Sequence, residues 1–492
     1  MFELVHYTSS NNFINSKTME SKDTICAIAT PQGGALGVIR ISGKEAISIA
    51  EKVFKPRNGA ALSERKAPSV VFGDVYNDNG TPLDEVLLTL MRAPRSYTGE
   101  DTVEISCHAS SYILQQLMLS LIDKGARQAE PGEFTMRAFL NGKMDLSRAE
   151  AVADIIASGN EASHRLAMNQ LKGGFSRELN ALREKLLKLT TLMELELDFG
   201  EEDVTFADRS ELTALCNEIE TVISTLADSF SIGNAVRNGL PVAIVGETNT
   251  GKSTLLNALL HEERALVSNI SGTTRDTVEG LMTIGGVSFR FIDTAGIRET
   301  MDIVEQMGIE RAFDQLQKAT VALWVIDPRT EATAMEESAA RLLPLCNGKR
   351  LAVLVNKCDI VDAIRISDTM KWAETMIAKH GKGVQWNNRD MWTISAKLGT
   401  NIDKLEDFLV DAAAIPNMPA DAVIVTNVRH YEALKKALTN IRDVKRGLDN
   451  GTPADLVSLD LRACIRHLAE IVGSVSSEDV LINVFKNFCI GK

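Results

Sequence analysis

Four short runs of this 492-residue chain carry residue types suited to a nucleoside triphosphate. The first, Gly246-Glu247-Thr248-Asn249-Thr250-Gly251-Lys252-Ser253, fits G-x-x-x-x-G-K-[ST]. Its glycines let backbone N–H groups curl around phosphates, and a following helix N-terminus adds partial positive charge. Lys252 would contact the β- and γ-phosphates, and Ser253 would ligate Mg²⁺. The second run is Asp293-Thr294-Ala295-Gly296. Asp293 would hold Mg²⁺ through water, and the Gly296 N–H would sense the γ-phosphate. Thr273 and Thr274 lie between these two runs, where a switch threonine reaches Mg²⁺. The third run, Asn356-Lys357-Cys358-Asp359, ends in a carboxylate that can accept two hydrogen bonds from the guanine N1–H and amine. Adenine cannot donate that pair. Ser395-Ala396-Lys397 supplies the supporting base loop. The order of the four runs points to GTP rather than ATP. The expected nucleotide contacts include Asn249, Thr250, Gly251, Lys252, Ser253 and Thr254.

One position departs from the usual chemistry. Many G proteins place a water-orienting Gln directly after the Asp-x-x-Gly run; here the residue is Ile297. Hydrolysis then needs other help. Asn249 offers a side-chain oxygen near the phosphates, where a monovalent cation could supply the charge of an arginine finger. Glu305, twelve residues after Asp293, could orient water or could be a solvated glutamate at a helix start; spacing alone favours the second.

These runs need a scaffold. Leu240–Val245 is a short β-branched run ahead of Gly246, and Thr254–Leu260 reads as the helix after it. Val287–Ile292, Val321–Ile326 and Leu351–Val355 read as strands separated by helices, which predicts a parallel α/β sheet over 236–414. Residues 142–235 are rich in Leu, Ala, Met and Glu, and Leu179, Leu182, Leu186, Leu189 and Met193 recur at helical spacing. Helical periodicity returns over 415–492, after Pro416 and Pro419, in Val428–Arg446 and Asp455–Val472. A helical domain interrupted by an inserted α/β domain accounts for this order. Residues 23–141 alternate β-rich runs (Ile25–Ala29, Gly37–Ile41, Glu85–Met91, Thr102–His108) with helices and read as an α+β domain. Residues 1–22 are polar, lack the apolar core of a secretory signal, and read as a disordered extension.

The bulk properties set outer bounds. A net charge of −13 excludes nucleic-acid binding through a general basic surface and leaves room only for a local patch. No window approaches the roughly 18 apolar residues of a membrane span. The 7 cysteines are scattered without a Cys-x-x-Cys pair, which fits reduced thiols in a cytoplasm.

Several stretches together resemble one family, the tRNA uridine-5-carboxymethylaminomethyl modification GTPases (MnmE/TrmE) of bacteria and organelles. They are Asp23-Thr-Ile25, Val38-Ile-Arg-Ile-Ser-Gly43, Ala93-Pro-Arg-Ser-Tyr-Thr-Gly-Glu-Asp101, Glu130-Pro-Gly-Glu-Phe-Thr135 and Ala138-Phe-Leu-Asn-Gly-Lys-Met-Asp-Leu146. Gly272-Thr-Thr-Arg-Asp276, Asp293-Thr-Ala-Gly-Ile-Arg-Glu-Thr300 and the terminal Phe488-Cys-Ile-Gly-Lys492 complete the set. The resemblance runs from about Asp23 to Lys492 and implies a multidomain protein. An N-terminal α+β domain would dimerise and bind 5-formyl- or 5,10-methylene-tetrahydrofolate; a discontinuous helical domain would carry an inserted P-loop G domain. Arg40, Glu104, Lys143 and Lys492 match folate-contacting positions. Ser253 and Thr274 match Mg²⁺ ligands; Asn249, Ser268, Ile270 and Thr273 match K⁺ ligands. Ser268, Asn269, Ile270, Ser271 and Gly272 extend the nucleotide-binding set, and Arg275 and Asp276 belong to the same switch segment. Glu305 falls where the family orients water, which reverses the preference from spacing. The implied activity is K⁺-dependent GTP hydrolysis that supports modification of C5 of the tRNA wobble uridine. The implied assembly is a homodimer joined by an FAD-dependent partner in a heterotetramer.

The chain departs from the family pattern around the expected folate pocket. Pro31-Gln32-Gly33-Gly34-Ala35-Leu36-Gly37 lacks the usual basic residue, and Cys107-His108-Ala109-Ser110 replaces Cys-His-Gly-Gly. Cys489 sits fourth from the end, but Gly491 and Lys492 are wrong for a prenylation signal. It is either a packed thiol or a chemical or partner-contacting group near the folate. The rival reading is a ribosome-assembly GTPase switch, which would add an RNA-binding domain with a Gly-x-x-Gly loop and basic surface. The sequence after Ala414 reads as neither such a domain nor a second G domain, the other usual addition.

Overall fold

The computed structural model describes residues 23–31, 33–77, 79–199, 209–261, 280–292, 316–413, 422–475, 478–486, 488 and 490–491. The chain divides into two compact units: the described parts of Met1–Ala153 with Ala469–Lys492, and of Asp154–Leu468.

The first unit is built on a seven-stranded sheet of order β3-β4-β5-β6-β2-β1-β7. Its strands are β1 (Ile25–Ile28), β2 (Leu36–Ser42), β3 (Phe54–Pro56), β4 (Ser69–Tyr76), β5 (Pro82–Met91), β6 (Thr102–His108) and β7 (Arg127–Gln128). All pairs are antiparallel except β1 with β7. Alternate residues of β2 and β6, namely Ile39, Ile41, Val103 and Ile105, point into the core. There they meet the apolar faces of α1 (Ala46–Val53) and α2 (Ser111–Asp123). A smaller core joins Leu146 and Ala149 to Leu481, Phe485 and Phe488 near the chain's end. Gly132 has φ +70° and abuts Phe485 and Phe488, so a side chain there would collide with this C-terminal segment.

The second unit combines helices with a six-stranded sheet of order β13-β12-β11-β8-β10-β9. Its strands are β8 (Leu240–Val245), β9 (Gly280–Ile284), β10 (Val287–Phe291), β11 (Val321–Ile326), β12 (Arg350–Val355) and β13 (Met391–Thr393). The sheet is parallel except for the β9–β10 hairpin. β8, β11 and β12 are almost wholly buried because helices cover both faces, so they read as continuous apolar runs. Beside the sheet, the long helix Gly174–Phe199 buries Leu179, Leu182, Leu186, Leu189 and Met193, the stripe that its periodicity predicts. The helix Arg209–Asp228 packs against it and against Val428–Asp449, so helical segments from either side of the α/β sheet in sequence meet in one layer. An N-terminal α+β part, a discontinuous helical part and an inserted P-loop α/β part are therefore all present, as the sequence predicts. No helix among the described residues is long and apolar enough to cross a membrane.

Candidate functional site

The C-terminal ends of β8, β12 and β13 face one way, and the three G-type loops that fall within the described residues follow them. After β8 the chain turns through Gly246 (φ +148°) and Asn249 (φ +63°) to Gly251 (φ +98°), and the helix Lys252–His261 begins at once. The glycines are steric necessities. A Cβ on Gly246 would overlap the Val325 carbonyl, and one on Gly251 would overlap the Asn356 amide. The buried Thr250 ties the turn to itself by donating to the Glu247 carbonyl at 2.9 Å. Lys252 Nζ curls over the loop, donating to the carbonyls of Gly246 at 3.0 Å and Glu247 at 2.7 Å. Burial pulls its pKa below the ordinary lysine value, against the opposing pull of the Glu247 carboxylate. Ser253 and the exposed Thr254 occupy the helix's first turn.

β12 delivers Asn356, which is only 2% exposed. Its amide joins two loops. Nδ2 donates to the Thr250 carbonyl at 2.8 Å, and Oδ1 accepts from the Ala396 N–H at 3.0 Å. Lys357, at φ +66°, donates from Nζ to the Asn249 carbonyl at 2.7 Å and to Asp327 at 2.7 Å. The base loop is shaped by Ser395, whose Oγ accepts from the Leu398 N–H at 3.2 Å, and by the Ser395–Thr400 bridge. The Cys358 N–H donates to the Ile394 carbonyl at 3.2 Å, and Asp359 and Lys397 are left exposed. Asn249, Thr250, Gly251, Lys252, Asn356, Lys357 and Ala396 are thus in one constellation. Asp327, at the end of β11, belongs to it too and is absent from the sequence motifs. The signal for it was its position: an acidic residue at the C-terminal end of a central parallel strand.

Ser268, Asn269, Ile270, Ser271, Gly272, Thr273, Thr274, Arg275, Asp276, Asp293, Thr294, Ala295, Gly296 and Glu305 lie outside the described residues, as do Cys489 and Lys492.

The other unit holds the expected folate positions. Arg40 on β2 stands directly across from Glu104 on β6, and their side chains pair at 2.7 Å. The Arg40 guanidinium lies 5.7 Å from the Tyr97 ring centre and 5.6 Å from that of Phe134, and it donates to the Gly491 carbonyl at 3.1 Å. Gly491 (φ +96°) presses against the backbone of Ile28 and Ala29, where no side chain fits. Lys143 donates to the Pro94 carbonyl at 2.9 Å. Its stem lies alongside Gly99, in the same loop that presents Tyr97 to Arg40. Ala109 and Ser110 stand where the family has glycines; neither has positive φ, so the backbone here accepts side chains.

Through Asn356, the phosphate loop and the base-reading loop form one rigid seat, with a carboxylate at one end and a lysine at the other. That arrangement defines a P-loop GTPase. Known relatives narrow the class. Residues 24–143 match the family described as GTP-binding protein TrmE N-terminus, and residues 146–489 match the MnmE helical domain. The tRNA modification GTPase MnmE of Bacteroides thetaiotaomicron is 53% identical over 473 residues, covering 96% of this chain and 100% of the relative. That of Parabacteroides distasonis is 49% identical over 476 residues, covering 95% and 100%, and that of Flavobacterium johnsoniae 48% over 478, covering 96% and 100%. The chain belongs to the MnmE (TrmE) family.

Proposed function

We propose that this protein is a cytoplasmic, K⁺-dependent GTPase that modifies C5 of the tRNA wobble uridine together with an FAD-dependent partner. It works as a homodimer within a heterotetramer and takes its one-carbon unit from 5-formyl- or 5,10-methylene-tetrahydrofolate. The observation that carries the GTPase reading is the Asn356 bridge between Thr250 and Ala396, which sets the base loop at a fixed distance from the phosphate loop. Near-full-length identity to proteins named tRNA modification GTPase supports the substrate.

The residues fit the groups they would hold. Gly246 and Gly251 leave no room for side chains beside a backbone that would cradle phosphate, and Lys252 is already on that loop. Asp359 would accept from guanine. Ser253 and Thr274 would hold Mg²⁺, which neutralises β- and γ-phosphate charge when bound. Asn249, Ser268, Ile270 and Thr273 would hold K⁺, which supplies a positive charge at a site where Ile297 replaces the usual Gln. Glu305 would orient water beside Arg275 and Asp276. In the other unit, Arg40 between two aromatic rings and paired with Glu104 offers flat apolar surface, a donor and an acceptor, which suits a pterin. Lys143 and Lys492 would meet the anionic glutamate tail.

The test is reconstitution. Purified protein, the flavoprotein partner, GTP and undermodified tRNA are combined with methylene-tetrahydrofolate in KCl or NaCl of matched ionic strength. With ammonium or glycine added as the amine, the expected result is fast GTP turnover and modified uridine in KCl only, with no product when folate is left out. Equal turnover in the two salts would remove the K⁺ role, and product without folate would remove the donor.

A further inference from the structure

Asp327 has no place in the four nucleotide motifs, yet its side chain is 8% exposed and fully engaged. Its carboxylate accepts from the Arg329 backbone N–H at 3.0 Å, from Arg329 Nε at 3.2 Å and Nη2 at 3.0 Å, and from Lys357 Nζ at 2.7 Å. Lys357 passes the restraint on, because the same ammonium donates to the Asn249 carbonyl at 2.7 Å. Two of the three non-glycine residues with positive φ among those described, Asn249 at +63° and Lys357 at +66°, are thereby tied together. Such conformations are strained for an L-residue and persist where surrounding contacts enforce them. A lysine free to swing could not enforce them.

We infer that Asp327 is a positioning residue of the guanine-nucleotide site, acting through Lys357 to hold the phosphate-loop turn at Asn249 in its binding conformation. The chain of contacts runs from a buried carboxylate just past the end of β11, through the base-reading loop, to the Asn249 carbonyl of the phosphate loop. Burial pushes the Asp327 carboxyl up, but hydrogen bonds from Arg329 and Lys357 outweigh it and hold its pKa at about 2, so the anion persists at every working pH. Arg329 is half exposed and serves the local turn. Its hydrogen bonds end at Asp327, and only its charge is felt by Asp359, whereas the hydrogen bonds of Lys357 reach the phosphate loop.

The inference rests on the reading of these loops as a GTP site, and the test separates the two. Release of a fluorescent GDP analogue is measured by stopped flow on the full chain. Asp327→Asn keeps the acceptor for the Arg329 N–H and removes the charge seen by Lys357. It is expected to speed release about tenfold, the usual effect of losing a charge-assisted bond. Lys357→Met and the double variant should release at the same rate as each other, since the carboxylate acts only through the lysine. Arg329→Met leaves the Asp327–Lys357 pair in place and should speed release by less than Asp327→Asn does. If Asp327→Asn does not fold, Asp327→Ser retains the turn acceptor and gives the same reading. Release within twofold of wild type, or an equal further acceleration in the Lys357→Met background, would overturn the inference. A wild-type protein that takes up no guanine nucleotide would overturn the reading of the site and this inference with it.

Discussion

Asp359 is exposed at the rim, while the residues that set its loop are buried beneath it: Asn356, Ser395 and Ala396. Its side chain is therefore free to read a base without disturbing the fold. Asp359→Asn exchanges the acceptor pair for a donor and an acceptor and should favour xanthosine triphosphate. The lost charged hydrogen bonds are worth about 1.5–3 kcal/mol, so GTP affinity should fall more than tenfold. Binding titrations with both nucleotides check this, and GTP affinity within threefold of wild type would remove Asp359 from base recognition. Glu305 makes the opposite prediction. If it orients water, Glu305→Ala slows single-turnover hydrolysis by about 10²-fold while GTP affinity barely moves. A large loss of affinity with normal turnover would mark it as structural.

The phosphate loop is the element on which the site depends. It leaves an almost wholly buried strand, makes three left-handed or glycine-only turns, and enters a helix with no spare residue. Gly251→Ala adds a methyl at φ +98° against the Asn356 amide, straining both the turn and the bridge to the base loop. GTP binding should weaken at least about fivefold, because strained backbone of this kind costs about 1–3 kcal/mol. Isothermal titration would show it, and unchanged affinity would mean that the Asn356 bridge is slack. At this scale much was legible from sequence. β8, β11 and β12 stand out because burial on both faces makes them unbroken apolar runs, and the Gly251–Ser253 turn announces the helix after it. Other elements were hidden. β4 carries exposed Val70 and Phe72 among buried Val71 and Val75, which blurs the period-two pattern of a half-buried strand. β13 has three residues, too few for any periodicity. Asp327 lies in no motif; only the fold brings Lys357, 30 residues away in sequence, to its carboxylate.

For the whole molecule, the expected separation of functions follows from where the groups lie. The phosphate and base loops belong to Asp154–Leu468, whereas the Gly491 carbonyl meets Arg40 in the other unit. That the tail returns to β2 was legible only through the family resemblance, because 451 residues separate the two ends of the bond. Removing Cys489–Lys492 takes away this contact and the proposed terminal cation and leaves the residues of the phosphate and base loops in place. The truncated protein should keep K⁺-stimulated GTP turnover near wild type and lose wobble modification. Equal loss of both would show that the tail is needed for folding as a whole. Cys489→Ser narrows the question further. A hydroxyl is close to a thiol in size but far less nucleophilic at neutral pH. The variant should fold and hydrolyse GTP yet fail to restore modified tRNA, and full restoration would leave Cys489 as a packed thiol.

The central claim is that GTP hydrolysis by this chain serves modification of the wobble uridine, and mass spectrometry of tRNA nucleosides tests it most directly. A strain lacking the protein is complemented with the wild-type chain or with Lys252→Ala, and the C5-modified wobble nucleoside is quantified. The account predicts restoration by the wild type and none by Lys252→Ala at equal protein levels. Unaltered wobble nucleoside in the uncomplemented strain, or full restoration by Lys252→Ala, would contradict it.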